Sequence, residues 1–273
     1  MNPLLGPQTQ LCMSLAARPG TFGTRFHNRL YALLGLDFIY KAFTTTDLPA
    51  AIGGVRALGI RGCAISMPFK EAVIPLLDQL APSAAAIASV NTIVNEAGQL
   101  TGYNTDYTAI VSLLDQAAIS PATTFLLHGA GGMAKAVAAA LRDRGHKQGC
   151  IIARNVSKGQ SLARSCGFDW AATEAGLTAR LLINATPLGM VGPESETLAF
   201  TIPAIRAAET VFDVVALPIT TPLLRAAQAA GRAVISGADV AVLQAAEQFR
   251  LYTGQQPDAA QIKEAADFAR AQT

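Results

Sequence analysis

Histidine and cysteine are scarce: the 273 residues include three histidines and four cysteines. No CxxC or HxxxH spacing occurs, so the chain offers no set of ligands spaced for a metal, and none is expected. The cysteines (Cys12, Cys63, Cys150, Cys166) are scattered, two of them inside strand-like runs. That pattern suits buried free thiols in a reducing cytoplasm better than a disulfide framework. No apolar run reaches the roughly 20 residues that span a bilayer. The opening "MNPLLGPQTQLCMSLAARPG" lacks a basic region followed by a sustained apolar stretch, so no signal peptide is expected and a cytoplasmic location is. Charge of either sign is also in short supply. With 21 basic against 19 acidic residues the formal net charge is +2, which gives no reason to expect a nucleic acid or an anionic membrane as partner. Internal repeats and low-complexity tracts are lacking too.

What remains is apolar residues, 51% of the chain, over a length comfortable for two domains. Strand-like and helix-like segments alternate throughout, as in an α/β fold with mainly parallel strands. Strands are predicted at "TQLCMSL", "LDFIYKAF", "GCAIS", "VNTIVN" and "GQLTGYN", and helices at "TRFHNRLYALLG", "LPAAIGGVRALG" and "KEAVIPLLDQL". A helical pattern then runs from Asp106 to about Gln116. After the linker-like "AAISPATT" a second set begins with "TFLLH", a Gly-rich turn, "GMAKAVAAALRDRG", "GCIIARN" and a helix through "SLARS". Strands at "RLLINAT", "TVFDVV" and "GRAVIS" follow, and two helices close the chain, free to pack back on the first domain.

"FLLHGAGGMAKA" sets Gly129, Gly131 and Ala134 in the spacing G-x-G-x-x-A, after an apolar strand and at the mouth of an Ala-rich helix. That context turns a weak glycine pattern into a dinucleotide signal. Gly129 permits the tight turn, Gly131 a close approach to a pyrophosphate, and Ala134 tight packing of helix on strand. The helix N-terminus offers free N–H groups to phosphates. The next strand ends in Arg154, with Lys158 close behind, where an NAD-binding chain carries a carboxylate for the ribose. A guanidinium suits a 2′-phosphate, so NADP is the expected cofactor.

The stretch "RGCAISMPFK" brings Lys70 to the end of an apolar strand. An ammonium there is costly unless it snorkels to water or finds a partner. Asp106, in "GYNTDYTAI", stands near a helix N-terminus where the dipole keeps a carboxylate ionised. It reads equally as a helix N-cap or as the counter-charge of Lys70.

Taken in order, "FHN", "SMPFK", "VNTIV", "YNTD", "GAGGMAKA", "INATPLGM", "FDVV", "PITTPLL" and "LQAAEQF" resemble the shikimate dehydrogenase family along nearly the whole chain. The resemblance implies a discontinuous α/β catalytic domain (1–106 and 239–273) and a Rossmann-type NADP-binding domain (107–238). It makes Lys70 and Asp106 the catalytic pair. Ser66, Asn91 and Gln244 would contact substrate hydroxyls, and Thr21 its carboxylate. It gives Gly129, Ala130, Gly131, Gly132 and Arg154 to the cofactor, and Thr186 and Met190 to the nicotinamide side. The activity implied is NADP-dependent interconversion of 3-dehydroshikimate and shikimate or a related cyclic hydroxy acid, by a monomer or homodimer. Rival readings are a dehydrogenase of another substrate, such as quinate or an amino acid, and a non-enzymatic NADP-binding module. The match fails at one place in particular. The family's S-x-S-P, whose serines hold the substrate carboxylate, is replaced by "TFGT", so that Thr21 and Gly23 occupy the serine positions. Ala216 stands for a tyrosine, Ala64 for an asparagine, and Ser66 for a threonine. These losses fall on substrate recognition and imply a branch whose best substrate differs.

Overall fold

Alternation along Gln10–Leu15 (β1) sends Cys12 to one apolar cluster and Met13 and Leu15 to another, as the two-residue period of a strand demands. The computed structural model describes residues 5–271. After β1 come α1 (Phe22–Leu33), β2 (Phe38–Phe43), α2 (Leu48–Ala57), β3 (Gly62–Ile65) and a single helical turn, α3 (Phe69–Ala72). A 3₁₀ turn (Ile74–Leu76), β4 (Gln79–Leu80), α4 (Pro82–Ala85), β5 (Thr92–Glu96), β6 (Gln99–Tyr103) and α5 (Thr105–Gln116) follow. The sheet order is β2-β1-β3-β5-β6-β4. Here β2, β1 and β3 run parallel, whereas β5 pairs antiparallel with both β3 and β6. One correction concerns "KEAVIPLLDQL", predicted as one helix. Pro75 has no N–H to give and clashes with the preceding turn. The segment therefore breaks into α3, the 3₁₀ turn and β4, which pairs with β6.

The second half comprises β7 (Phe125–His128), α6 (Gly132–Asp143), β8 (Gly149–Ile152), α7 (Val156–Cys166), β9 (Asp169–Ala171) and β10 (Leu181–Asn184). These lead into α8 (Ile202–Ala207), β11 (Thr210–Asp213), α9 (Pro222–Ala229), β12 (Ala233–Ser236), α10 (Gly237–Thr253) and α11 (Ala259–Arg270). Its sheet is wholly parallel, in the order β12-β11-β10-β7-β8-β9. This is the doubly wound Rossmann arrangement, whose strand order reverses between β7 and β10.

The chain divides into two compact units, Met1–Thr105 with Val242–Thr273, and Asp106–Ala241. In the first, α1 and the C-terminal helices cover one face of the sheet with Phe26, Leu30, Tyr31, Phe249 and Tyr252. The other face carries Ile52, Val55, Ile65, Val90 and Leu100. Each such side chain stabilises by roughly 1.5–3 kcal/mol on burial. In the second unit Leu126, Ile152, Leu182, Val211 and Leu223 pack with Phe200 and Ile205.

Candidate active site

In the first unit the loop after β3 turns sharply. Ser66 N–H donates to Leu15 O at 3.0 Å, and Phe69 N–H to Ser66 O at 2.9 Å, starting the turn that carries Lys70. The Met67–Pro68 peptide within it is cis. The loop is sewn to the segment just before β5, because Val90 N–H donates to Lys70 O at 2.8 Å and Ile65 N–H to Asn91 O at 2.8 Å. Ser66 is exposed, Lys70 half-buried and Asn91 buried. All three lie beyond the carboxyl ends of β1 and β3, the edge where parallel strands present ligand sites.

Asn91 is held tightly. Its Oδ1 accepts from Thr105 N–H at 2.8 Å, from the Thr92 hydroxyl at 2.8 Å and from the Thr105 hydroxyl at 3.2 Å. The Thr105 hydroxyl also reaches Gln244 Oε1 at 3.4 Å, so Asn91 and Gln244 meet at one threonine. Asp106 follows directly, in the first turn of α5, and is the first residue of the second unit.

Thr21 is the N-cap residue of α1, yet its side chain makes no capping bond; it is exposed. Asn28 of "FHN" ties α1 to β2. Its Nδ2 donates to Tyr40 O at 2.8 Å and its Oδ1 accepts from Tyr40 N–H at 2.9 Å. Arg25 is committed to α11. Its Nη2 donates to Phe268 O at 2.7 Å, and its guanidinium lies 4.4 Å from the centre of the Phe268 ring. His27 is fully buried and stacks on Tyr40 with ring centres 4.5 Å apart. Burial pushes its pKa down to about 3, against a small opposing effect from adjacent Gln248, although neither ring nitrogen makes a hydrogen bond of normal geometry.

In the second unit Gly129 has φ +126°, and a Cβ there would lie 2.7 Å from Ala185 O. Only glycine fits, and the contact places the turn after β7 against the turn after β10, at the reversal of strand order. Gly131 caps α6 without any side-chain hydrogen bond, and the first turn of α6 carries no acid. Around Gly131 and Gly132 there is open space where a Cβ would be, while Ala134 is fully buried. Gly129 N–H is spent on Ile152 O at 2.9 Å, which fixes the turn, while the N-terminus of α6 at Gly131 and Gly132 presents first-turn N–H groups and a positive dipole end that fit the pyrophosphate of a dinucleotide. Ala130 lies within that turn. Arg154 is exposed two residues beyond β8 and makes no hydrogen bond or ion pair with any described residue. Asn155 beside it caps α7, its Oδ1 accepting from Lys158 N–H at 2.9 Å. Thr186 donates its hydroxyl to Asn184 Oδ1 at 2.6 Å, and its methyl carbon lies 3.4 Å from the Cβ position of Gly129. Met190 is 47% exposed on the same loop.

Sequence reasoning missed the groups that shape these loops. Asp213, fully buried, accepts from the Thr221 hydroxyl at 2.6 Å, from Asn184 Nδ2 at 3.0 Å and from Val215 N–H at 3.1 Å. Burial holds its carboxyl above the usual range, and the three donors oppose that. "INAT", "FDVV" and "PITTP" are thus joined by one polar knot.

Comparison with known proteins agrees with this geometry. Residues 21–93 match the family model of the shikimate dehydrogenase substrate binding domain, and residues 237–266 that of the shikimate 5′-dehydrogenase C-terminal domain. The shikimate dehydrogenase-like protein of Haemophilus influenzae is 54% identical over 268 residues, covering 98% of this chain and 99% of that one. Among solved structures, shikimate 5-dehydrogenase of Thermus thermophilus in complex with NADP(H) and shikimate superposes with a TM-score of 0.85 at 32% identity, covering 95% of this chain and 100% of that one. The quinate dehydrogenase of Corynebacterium glutamicum, in complex with NAD, gives 0.86 at 29% identity, covering 94% of this chain and 98% of that one.

Proposed function

Because the chain belongs to the shikimate dehydrogenase family, we propose that it interconverts shikimate and 3-dehydroshikimate, or a closely related cyclic hydroxy acid, with NADP as the redox partner. It is an NADP-dependent oxidoreductase acting on a secondary alcohol. The unit formed by Met1–Thr105 and Val242–Thr273 binds the acid; the unit Asp106–Ala241 binds the cofactor through Gly129, Ala130, Gly131, Gly132 and Arg154. Thr186 and Met190, on the loop beside the glycine turn, face the nicotinamide.

One observation carries the reading: the segment just before β5 is tied by backbone hydrogen bonds to the turn bearing Lys70 (through Val90) and to the end of β3 (through Asn91), and the Asn91 amide is in turn locked beside Gln244. Those groups suit a polyhydroxylated ring. Ser66, Asn91 and Gln244 bind its hydroxyls. Lys70 accepts the proton of the reacting hydroxyl during oxidation and returns it during reduction. Asp106 orients that hydroxyl and balances the lysine's charge. NADP, when bound, supplies the hydride acceptor. Proton transfer of this kind contributes about 10²–10⁴-fold, and most of the remaining acceleration comes from positioning.

Thr21 keeps one hydroxyl for the substrate carboxylate, but Gly23 cannot supply the second, and Ala216 opens a wall. Shikimate is therefore turned over with low efficiency for this family, and a panel including quinate identifies the better substrate. The test is Lys70→Ala. Its kcat on the best substrate should fall by at least about 10² with NADP affinity nearly intact, since the lysine moves a proton and does not bind cofactor. Near-normal kcat in that variant refutes the assignment.

A further inference from the structure

The amide of Asn91 could face a ligand with its oxygen or with its nitrogen, and the two faces recognise opposite partners. Thr105 N–H, which can only donate, ends on Oδ1 at 2.8 Å and so fixes which atom is which. The Thr92 hydroxyl, also 2.8 Å from Oδ1, is by itself ambiguous, because a hydroxyl both donates and accepts. Gln248, on the buried side of α10, removes that ambiguity. Its Nε2 donates to the Thr92 hydroxyl oxygen at 3.0 Å and, more weakly, to the carbonyl of Asn91 at 3.4 Å. The carbonyl can only accept, so Nε2 is the amide face turned this way, and the hydroxyl proton of Thr92 is sent on to Asn91 Oδ1. Gln248 is 4% exposed, Thr92 0% and Asn91 3%, so water does not compete for these bonds.

We propose that Gln248 is a positioning residue for the substrate: through Thr92 it directs a further donor, beside those of Thr105, onto Oδ1 of Asn91 and so holds the Nδ2 hydrogens, which no acceptor among the described residues takes up, as a fixed donor pair for a substrate oxygen. The role in turnover rests on the dehydrogenase reading given above; the locked amide does not. A hydroxyl that accepts from Asn91 must direct its own proton elsewhere, so this position selects for an oxygen lone pair and tolerates a carbonyl as well as a hydroxyl. The oxygen held here is not the reacting one, so both redox forms of the substrate are bound alike and the contact acts equally on ground and transition states.

The test uses Gln248→Met, which keeps the volume of the side chain and removes its donor. Loss of one neutral hydrogen bond in such a chain should raise KM for the best substrate by about five- to tenfold, with kcat changed less than about twofold. The same replacement made in a Thr92→Val background should add nothing, because the link already lacks its middle member. The paired side-chain amide protons of Asn91, assigned in ¹H–¹⁵N spectra by their disappearance in Asn91→Asp, should move or broaden in Gln248→Met without any substrate present. If Gln248→Met does not fold, Thr92→Val alone cuts the same link and must show both effects. Wild-type turnover with unchanged KM and unmoved Asn91 amide signals in the variant overturns the proposal. Absence of turnover in the wild-type protein with every hydroxy acid tried overturns the dehydrogenase reading instead, and the amide signals still decide the role of Gln248.

Discussion

Arg154→Ala should separate the two nicotinamide cofactors, and the structure sets the size of the effect. The guanidinium is exposed and makes no hydrogen bond or ion pair with a described residue, so nothing in the folded chain is lost with it. Folding stability should stay within about 0.5 kcal/mol of wild type, as for surface substitutions away from caps and pairs. NADP differs from NAD by the 2′-phosphate alone. A hydrogen bond to a charged group contributes about 1.5–3 kcal/mol, and exposure places this one at the lower end. The dissociation constant for NADP should then rise roughly 10- to 30-fold, and that for NAD by less than about twofold. Lys158, exposed four residues on, leaves a residual preference for NADP. Calorimetric titration of both cofactors at two ionic strengths reads this directly. The wild-type advantage for NADP should shrink as salt rises, and the variant's should depend on salt less. Equal losses for both cofactors, or a preference indifferent to salt, would show that Arg154 supports the turn and does not read the phosphate.

Two further outcomes are expected. A Cβ at Gly23 would sit 3.7 Å from the Tyr40 hydroxyl, ordinary contact, so Thr21→Ser with Gly23→Ser fits the backbone and should raise kcat/KM on shikimate by about tenfold or more; no gain means that this loop does not meet the carboxylate. His27 titrates at about 3 in the folded chain against 6.5 ordinarily, so the unfolded chain binds more protons between those values and stability falls as pH drops through that window. At pH 4.5 the loss is on the order of 2–3 kcal/mol relative to neutral pH, and urea midpoints should show His27→Phe sparing most of it; parallel acid curves for both proteins would refute a neutral buried ring.

What could be read in the sequence is what local backbone chemistry dictates. The turn at Gly129 is written as glycine because φ is +126° and Ala185 O leaves no room for a Cβ, so the motif and its conformation are one fact. The strand to helix alternation of the second unit is equally local. Pro75 was local too, and the apolar spacing of "KEAVIPLLDQL" obscured it: the periodicity is helical, but a proline interrupts the hydrogen-bond ladder. β4 and β9, of two and three residues, are strands only because β6 and β8 lie beside them. The short helices α8 and α9 each begin at a threonine that caps the first turn, with a proline just inside, a signal present in "TIP" and "TPL" and easily taken for loop.

The candidate site divides along the same line. Lys70 and Arg154 stand out because their chemistry is conspicuous beyond the end of an apolar strand, and Asn91 enters through the family resemblance. Gln248 and Asp213 do not stand out, because each acts on partners remote in sequence: Gln248 on Thr92, 156 positions away, and Asp213 on Asn184, 29 away. A buried amide or carboxylate in an apolar helix or strand looks like an anomaly until its partners are seen, since an unpaired polar group there costs about 1–3 kcal/mol. The physical rule can be turned around. A polar residue on the buried stripe of an otherwise apolar element must have a partner, and "LQAAEQF" places Gln248 on the core-facing side between Ala245 and Phe249, both fully buried. That position alone implies a hydrogen-bonded role inside the unit that holds Asn91. Only the fold could say that its bond goes to Thr92, whose hydroxyl in turn donates to Oδ1 of Asn91.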